Sequence, residues 1–370
     1  MEVSSARNGN GYYSKDDVLS VSGDLGIVNQ IELLGRSYAG ESVLPYRIVE
    51  INQVVYTKSP LASNPYGIIK TNCYKAGIVS TLYAVYKAKE NCNPHFVQHY
   101  FDYKPRINNY LRPIVRIGAK HDMKIGNQEV LRNIVYFPSL CEQNKISVFL
   151  DLINERIITQ NKIIEDLITL RNQINNVFFD SLNTCVRFSE LYTFASEGGT
   201  PDTSKGEYYL NGKIPFIKIE NLYEKYLLSS NSFISESGLR NSSAWLVPKE
   251  SILLSNGATI GETTILKMDA TTKQGILGII PKKPYDSEIL YYLFKSRRFA
   301  KTLKRITTKG TMEAAYLKDL NKEKVFLSCD ENMNSHVTLM SLIDKRINVE
   351  RQIAHLLVIE KQYLLGNLFI

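Results

Sequence analysis

An apolar seam at heptad spacing, present twice, constrains this 370-residue chain more than any other feature. From Ile146 the positions Leu150, Ile153, Ile157, Ile164, Leu167, Ile174 and Phe178 step by threes and fours, with Gln160 and Arg171 filling the two remaining seam places. That spacing lays a stripe along one helix face, the pattern of a coiled coil. Residues 139–180 contain no Gly or Pro to break it, so a rise near 1.5 Å per residue predicts a rod of roughly 60 Å. The segment Leu152-Ile153-Asn154-Glu155-Arg156-Ile157 returns as Leu342-Ile343-Asp344-Lys345-Arg346-Ile347, and Asn176-Val177-Phe178-Phe179 as Gly366-Asn367-Leu368-Phe369, both at an offset of 190 residues. Carried across, the seam falls on His336, Met340, Ile343, Ile347, Glu350, Ala354, Leu357, Lys361, Leu364 and Leu368. A lone rod would leave its stripe in water, so the two are expected to pack together, the polar seam residues fixing register.

The stretches before each rod also correspond. Residues 1–138 show short strand runs at 18–22, 46–49, 53–57 and 77–86, a helix at 94–102, and a basic tail with Lys104, Arg106, Arg112, Arg116, Lys120 and His121. In residues 182–328 the runs 245–247 and 251–255 match 47–49 and 53–57, and Gly275-Ile276 matches Gly77-Ile78. Residues 288–295 match the helix, with Arg297, Arg298, Lys301, Lys304, Arg305 and Lys309 as the tail. The expected fold class is therefore α+β. Two similar globular modules, 1–138 and 182–328, are separated by two long helices, 139–181 and 329–370, packed as an antiparallel coiled coil with an internal pseudo-two-fold repeat.

Composition narrows the function. A net charge of +8 with 23 tyrosines suits a polyanionic partner. No apolar run approaches eighteen residues and the first eight residues lack an apolar leader, so a cytoplasmic protein with no membrane role is expected. Five cysteines without a CxxC pair argue against a disulfide framework or zinc ribbon. Cys92, His95 and His99 supply no fourth ligand, so no metal is expected. Gly9, Gly11, Gly198 and Gly199 are expected at turns needing positive φ, outside any phosphate-cradling motif. Asn64-Pro65-Tyr66 lacks one Pro of the Asn/Asp-Pro-Pro-Tyr loop of adenine methyltransferases and reads as a proline turn, and no Ser/His/Asp grouping declares a catalytic centre.

Gly198-Gly199-Thr200-Pro201-Asp202-Thr203, Leu254-Ser255-Asn256-Gly257-Ala258-Thr259-Ile260-Gly261 and Lys273-Gln274-Gly275, in a module–rod–module–rod order, resemble the DNA-specificity subunit of type I restriction–modification systems. Val55-Tyr56, residues 77–83 and Pro138 with Glu142-Gln143 resemble the corresponding elements of a first target-recognition domain and its entry into the rod. The resemblance implies a non-catalytic subunit on double-stranded DNA. Each recognition domain would read half of a split target, while the helices set the spacer and dock two methyltransferase subunits. S-adenosylmethionine, ATP and Mg²⁺ would sit on those partners and on restriction subunits, with no cofactor on this chain. Two departures stand out. The first module lacks a counterpart of residues 186–191, as a shortened chain or unusual start would, and the second rod has Leu327-Ser328 and Asn332-Met333 where the first has its Pro and Glu-Gln.

Phosphate neutralisation by Lys and Arg and base reading by Arg, Asn and Gln select the candidate DNA contacts. In the first module they are Arg7, Asn8, Asn10, Tyr12, Lys15, Asn64, Tyr66, Lys70, Asn72, Lys75, Arg106 and Arg112. In the second they are Thr203, Ser204, Lys205, Tyr208, Lys218, Arg240, Asn241, Asn256, Lys273, Gln274, Arg297, Arg298, Lys301 and Lys304. The alternatives are a fused adenine-N6 methyltransferase or nuclease, and a coiled-coil adaptor whose modules bind protein.

Overall fold

The structure, a computed structural model, describes residues 1–60, 64–117, 123–257, 259–308 and 313–369; Lys120, His121, Ala258 and Lys309 lie outside them. The chain forms two compact units, Met1–Asn161 with Gln352–Ile370, and Lys162–Arg351. The rods are the helices Leu140–Ser181 and Glu331–Asn367, so each unit holds one globular module and half of each rod.

The heptad stripe decides which rod residues leave solvent. Every seam position from Ile146 to Phe178 and from His336 to Leu364 is buried or half-buried, while the off-seam Val148, Phe149, Leu152, Ile158, Leu170 and Val177 stay exposed; Leu368, the last seam position, is exposed as well. In the Lys162–Arg351 unit the rods run antiparallel: Arg171 Nη1 bonds Asp344 Oδ1 at 2.8 Å, and seven residues on Phe178 stacks on His336, eight residues back. The first rod starts at Ser139, whose Oγ accepts the Glu142 N–H, and buried Gln143 ties its first turn to Asn93 N, Asn91 O and Pro138 O. The second rod, lacking that Gln, is capped by Asp330 Oδ1, which accepts Met333 N at 2.9 Å.

Both modules are built on one sheet plan. In the first unit the antiparallel order is Glu2–Val3, Ala84–Lys87, Val54–Tyr56, Ile69–Thr71. In the second it is Tyr192–Glu197, Ile276–Pro281, Ile252–Ser255, Thr263–Leu266, extended by the parallel strand Tyr226–Leu227. The registers match: Val3 and Val54 flank Tyr86 as Ala195 and Ile252 flank Ile279. The central strands Val54–Tyr56 and Ile252–Ser255 are wholly buried, as strands covered on both faces must be, and Ile276–Pro281 is buried over its first four residues. Helices Pro94–Asp102 and Ser287–Phe294 follow the sheets. Two strand expectations change: residues 77–86 split into Gly77–Val79 and Ala84–Lys87 around a turn closed by Tyr83 N to Ser80 O, and residues 245–247 form only a bridge from Val247 to Ala270.

Candidate nucleic-acid interface

The three stretches of the second module singled out by sequence meet at one end of its sheet. Gly198 N donates to Ile276 O at 2.8 Å, Asn256 N donates to Gly275 O at 3.0 Å, and Gln274 N reaches Thr200 Oγ1 at 3.4 Å. Glu197 Oε1 accepts Gly275 N at 2.9 Å. Gly198 and Gly199 serve this junction by size, not by positive φ: a Cβ would fall 2.2 Å from Thr272 Oγ1 and 2.3 Å from Ser243 Oγ respectively, and neither has positive φ. Gly9 likewise has no positive φ, whereas Gly11 does, at 67°.

Around this junction Thr203, Ser204, Lys205, Arg240, Asn241, Lys273 and Gln274 are exposed and Lys218 is half-buried. Tyr208 is buried; its hydroxyl accepts from Lys205 Nζ at 3.3 Å and holds the Lys205 ammonium above its ordinary pKa. Asn256 is also buried; its main chain bonds Gly275 and Ala315, while its side-chain Oδ1 is buried without a hydrogen-bond partner among the described residues. The basic helix Arg297–Ile306 divides. Lys301 and Lys304 face solvent, but Arg297 pairs with Asp180, and Arg298 Nη1 donates to Phe179 O and Leu182 O at 3.1 and 2.9 Å. The carbonyls of Phe179 and Leu182 are free at a helix C-terminus, which cations satisfy, so Arg298 fastens module to rod, whereas Arg297 stays exposed beside Asp180.

In the first module Arg7, Asn10, Tyr12, Lys15, Lys75 and Arg112 are exposed. Four other candidates are consumed internally. Asn8 is buried and brackets Tyr13, accepting from its N at 3.0 Å and donating to its O at 2.8 Å, which holds the Asn10–Tyr12 loop outward. Lys70 is buried against Asp102 at 2.7 Å, and Asn72 donates to Glu50 O and Lys75 O. Arg106 donates to Tyr100 O and Leu365 O while its guanidinium lies 4.6 Å from the Tyr100 ring centre and 4.8 Å from that of Phe369. Asn64 and Tyr66 are half-buried in a turn closed by Gly67 N to Asn64 O, so the Asn-Pro-Tyr run is a turn.

Two carboxylates that sequence reasoning passed over hold the modules to the rods. Asp151 accepts from His95 Nδ1 at 3.2 Å and His99 Nε2 at 2.8 Å, so both histidines of the Cys92–His99 run are spent on hydrogen bonds to this carboxylate, and no group of metal-binding side chains gathers among the described residues. The Asp151 bond, with a smaller part from Cys73, pushes His95 up to about 10; burial opposes ionisation of Asp151, but the two histidines hold it well below the usual carboxylate range. Asp344 accepts from Tyr292 Oη at 2.6 Å and Arg171 Nη1 at 2.8 Å, with Lys225 Nζ at 3.4 Å. Its position inside the repeated hexapeptide, opposite Asn154 of the first copy, was the available signal.

Residues 183–358 match the family model of the type I restriction modification DNA specificity domain. That stretch of the chain carries the specificity domain. The specificity domain thus takes in the whole sheet of the second unit and the convergent Gly198, Asn256 and Gln274 loops. Over 158 residues the chain is 34% identical to the type I restriction enzyme MjaIX specificity subunit of Methanocaldococcus jannaschii, covering 42% of this chain and 36% of that protein. Over 152 residues it is 26% identical to the EcoR124I/EcoR124II specificity subunit of Escherichia coli, covering 40% and 37%. The chain thus spans about a third of the length of the curated relatives it matches. A chain of a type I restriction–modification system solved for its complex assembly and conformational transition superposes with a TM-score of 0.61 at 15% identity, covering 100% of this chain and 94% of that one. The S subunit of M. genitalium superposes with a TM-score of 0.56 at 13% identity, covering 100% and 92%. These likenesses show that the fold of two sheet-rich modules and two long helices is that of solved S subunits, as the resemblance implied. Among the described residues no helix is long and apolar enough to cross a membrane.

Proposed function

We propose that this chain is the DNA-recognition subunit of a type I restriction–modification complex, in which each module reads one half of a bipartite duplex target. The single observation that carries this is the specificity domain of residues 183–358 sharing its sheet register with the first module. Two modules of like plan and unlike surface suit two half-sites of different sequence, and exposed Lys205, Lys273, Lys15 and Lys75 suit the phosphates beside them.

The rods also suit a partner. Phe149 and Leu152 are 46% and 58% exposed, and the residues 190 positions on, Leu339 and Leu342, are 46% and 56% exposed. Apolar pairs repeated at matching exposure fit two copies of one protein, here the methyltransferase subunits, with the rods setting the spacer. Methyl transfer, and S-adenosylmethionine with it, belong to those subunits, and ATP and Mg²⁺ to restriction subunits, all in the cytoplasm. The chain itself is non-catalytic. Co-expression with a methyltransferase subunit and genome-wide mapping of methylated adenines tests this: a split motif with a fixed gap is expected. Methyl transfer by the purified chain alone, or marks with no motif, would overturn it.

A further inference from the structure

Three residues scattered along the sequence converge beside Asp151 in the first unit. Cys73, in the loop after the strand Ile69–Thr71, is exposed and puts Sγ 3.9 Å from Nε2 of His95, while Nδ1 of the same ring bonds Asp151 Oδ2 at 3.2 Å. His95 stands in the first turn of the helix Pro94–Asp102, whose capping Asn93 accepts its backbone N–H at 2.8 Å. The other Asp151 oxygen accepts from His99 Nε2, also at 2.8 Å, so the carboxylate that orients His95 is itself held. One ring nitrogen therefore rests on a carboxylate and the other faces a sulfur that solvent reaches. Separations of 22 residues from Cys73 to His95 and 56 from His95 to Asp151 hid the grouping from sequence.

A thiol within reach of an imidazole that a carboxylate orients is the arrangement of an activated nucleophile. We propose that Cys73 is a modification site, the sulfur of this molecule that hydroperoxides oxidise. Chiefly through Asp151, His95 is pushed up to about 10, so near neutral pH its Nε2 presents a proton to the sulfur. In the neutral state the thiol donates to Thr71 O at 3.5 Å. Once that proton has passed to solvent, the thiolate attacks one peroxide oxygen: an S–O bond forms, the O–O bond breaks, and sulfur loses two electrons to become a sulfenic acid. The departing hydroxide takes the Nε2 proton and leaves as water, and His95 regains a proton from solvent. That proton is what selects the reagent. Hydroxide leaves poorly without protonation, so a placed general acid favours a peroxide over reagents whose leaving group departs unaided. Cys141, Cys185 and Cys329 are exposed too, but among the described residues none of them has a histidine within hydrogen-bond reach.

The test exposes the full chain to hydrogen peroxide at neutral pH, traps sulfenic acid with dimedone and reads each cysteine by peptide mass spectrometry. Cys73 should gain the adduct at an initial rate about tenfold or more above Cys141, Cys185 and Cys329 in the same molecules. With iodoacetamide, whose iodide leaves without a proton, that lead should shrink. His95→Gln should bring the peroxide rate of Cys73 down to that of the other three. A merely structural role for His95 would move both reagents alike. The ranking within the wild-type chain needs no variant to fold. Oxidation of Cys73 no faster than of the other exposed cysteines, an equal lead toward both reagents, or an undiminished lead in His95→Gln would each overturn the proposal.

Discussion

Phe178 of the first rod lies flat on His336 of the second, ring centroids 3.9 Å apart and planes within 4° of parallel. Both are seam positions, and Nε2 of His336 bonds Asn175 Oδ1 at 3.0 Å, the same Asn whose amide donates to Tyr292 O. Burial here lowers the His336 pKa to about 4, so the folded state keeps the ring neutral.

A base depressed on folding stabilises above its unfolded pKa and loses that contribution as pH falls. Between about pH 6.5, the ordinary histidine value, and about 4 the unfolded chain takes up a proton that the folded unit refuses, so stability declines across that window. His336→Gln, which can still donate to Asn175, should flatten the decline. Trp245, the sole tryptophan, reports on this unit, so urea unfolding followed by its fluorescence from pH 7 to 4 reads the outcome.

The Asp151 latch predicts a dependence in the opposite direction. His95 is raised to about 10, so its contribution is full below about pH 6.5 and is lost as pH rises through 10. Thermal midpoints should therefore be lower at pH 10 than at pH 6, by about 2–4 °C for each kcal/mol of latch strength. His95→Gln should remove that difference; an unchanged pH slope in the variant would place the effect elsewhere.

Asp344 serves Tyr292, Arg171 and Lys225 at once in a half-buried site. Removing one partner of such a cluster leaves charge stranded, at a cost of about 3–5 kcal/mol. Asp344→Ala should shift the urea midpoint of Trp245 fluorescence accordingly. Adding Arg171→Met to it should recover part of the loss, which a mere cavity at residue 344 would not permit.

Lys205 and Lys273 are exposed by the convergent loops, whereas Lys70 and Asn72 are locked inside the first module. Lys205→Ala and Lys273→Ala should each weaken binding to any duplex and lower the salt slope of log K by about one. Lys70→Met and Asn72→Ala should leave that slope unchanged and lower the melting temperature. Fluorescence anisotropy across a salt series separates the two classes.

The seam from Ile146 to Leu364, the duplicated modules and the helix Pro94–Asp102 were legible in sequence because periodicity and repetition are local or register-bound signals. Which polar side chains remain free was not. Lys70, Arg106 and Arg298 have the composition of ligand contacts, yet their partners lie on distant segments, Asp102 for Lys70, Leu365 O for Arg106 and Phe179 O for Arg298. Likewise a glycine needed for close approach, as Gly198 is against Thr272, is indistinguishable in sequence from one needed for positive φ. The sequence by itself determined the rods, the repeat and the two-module plan, since the spacing of apolar side chains alone dictates which face must leave water. Only the tertiary structure decided which charges hold the molecule together and which face outward, because a side chain's hydrogen-bond partner is set by what the fold brings beside it.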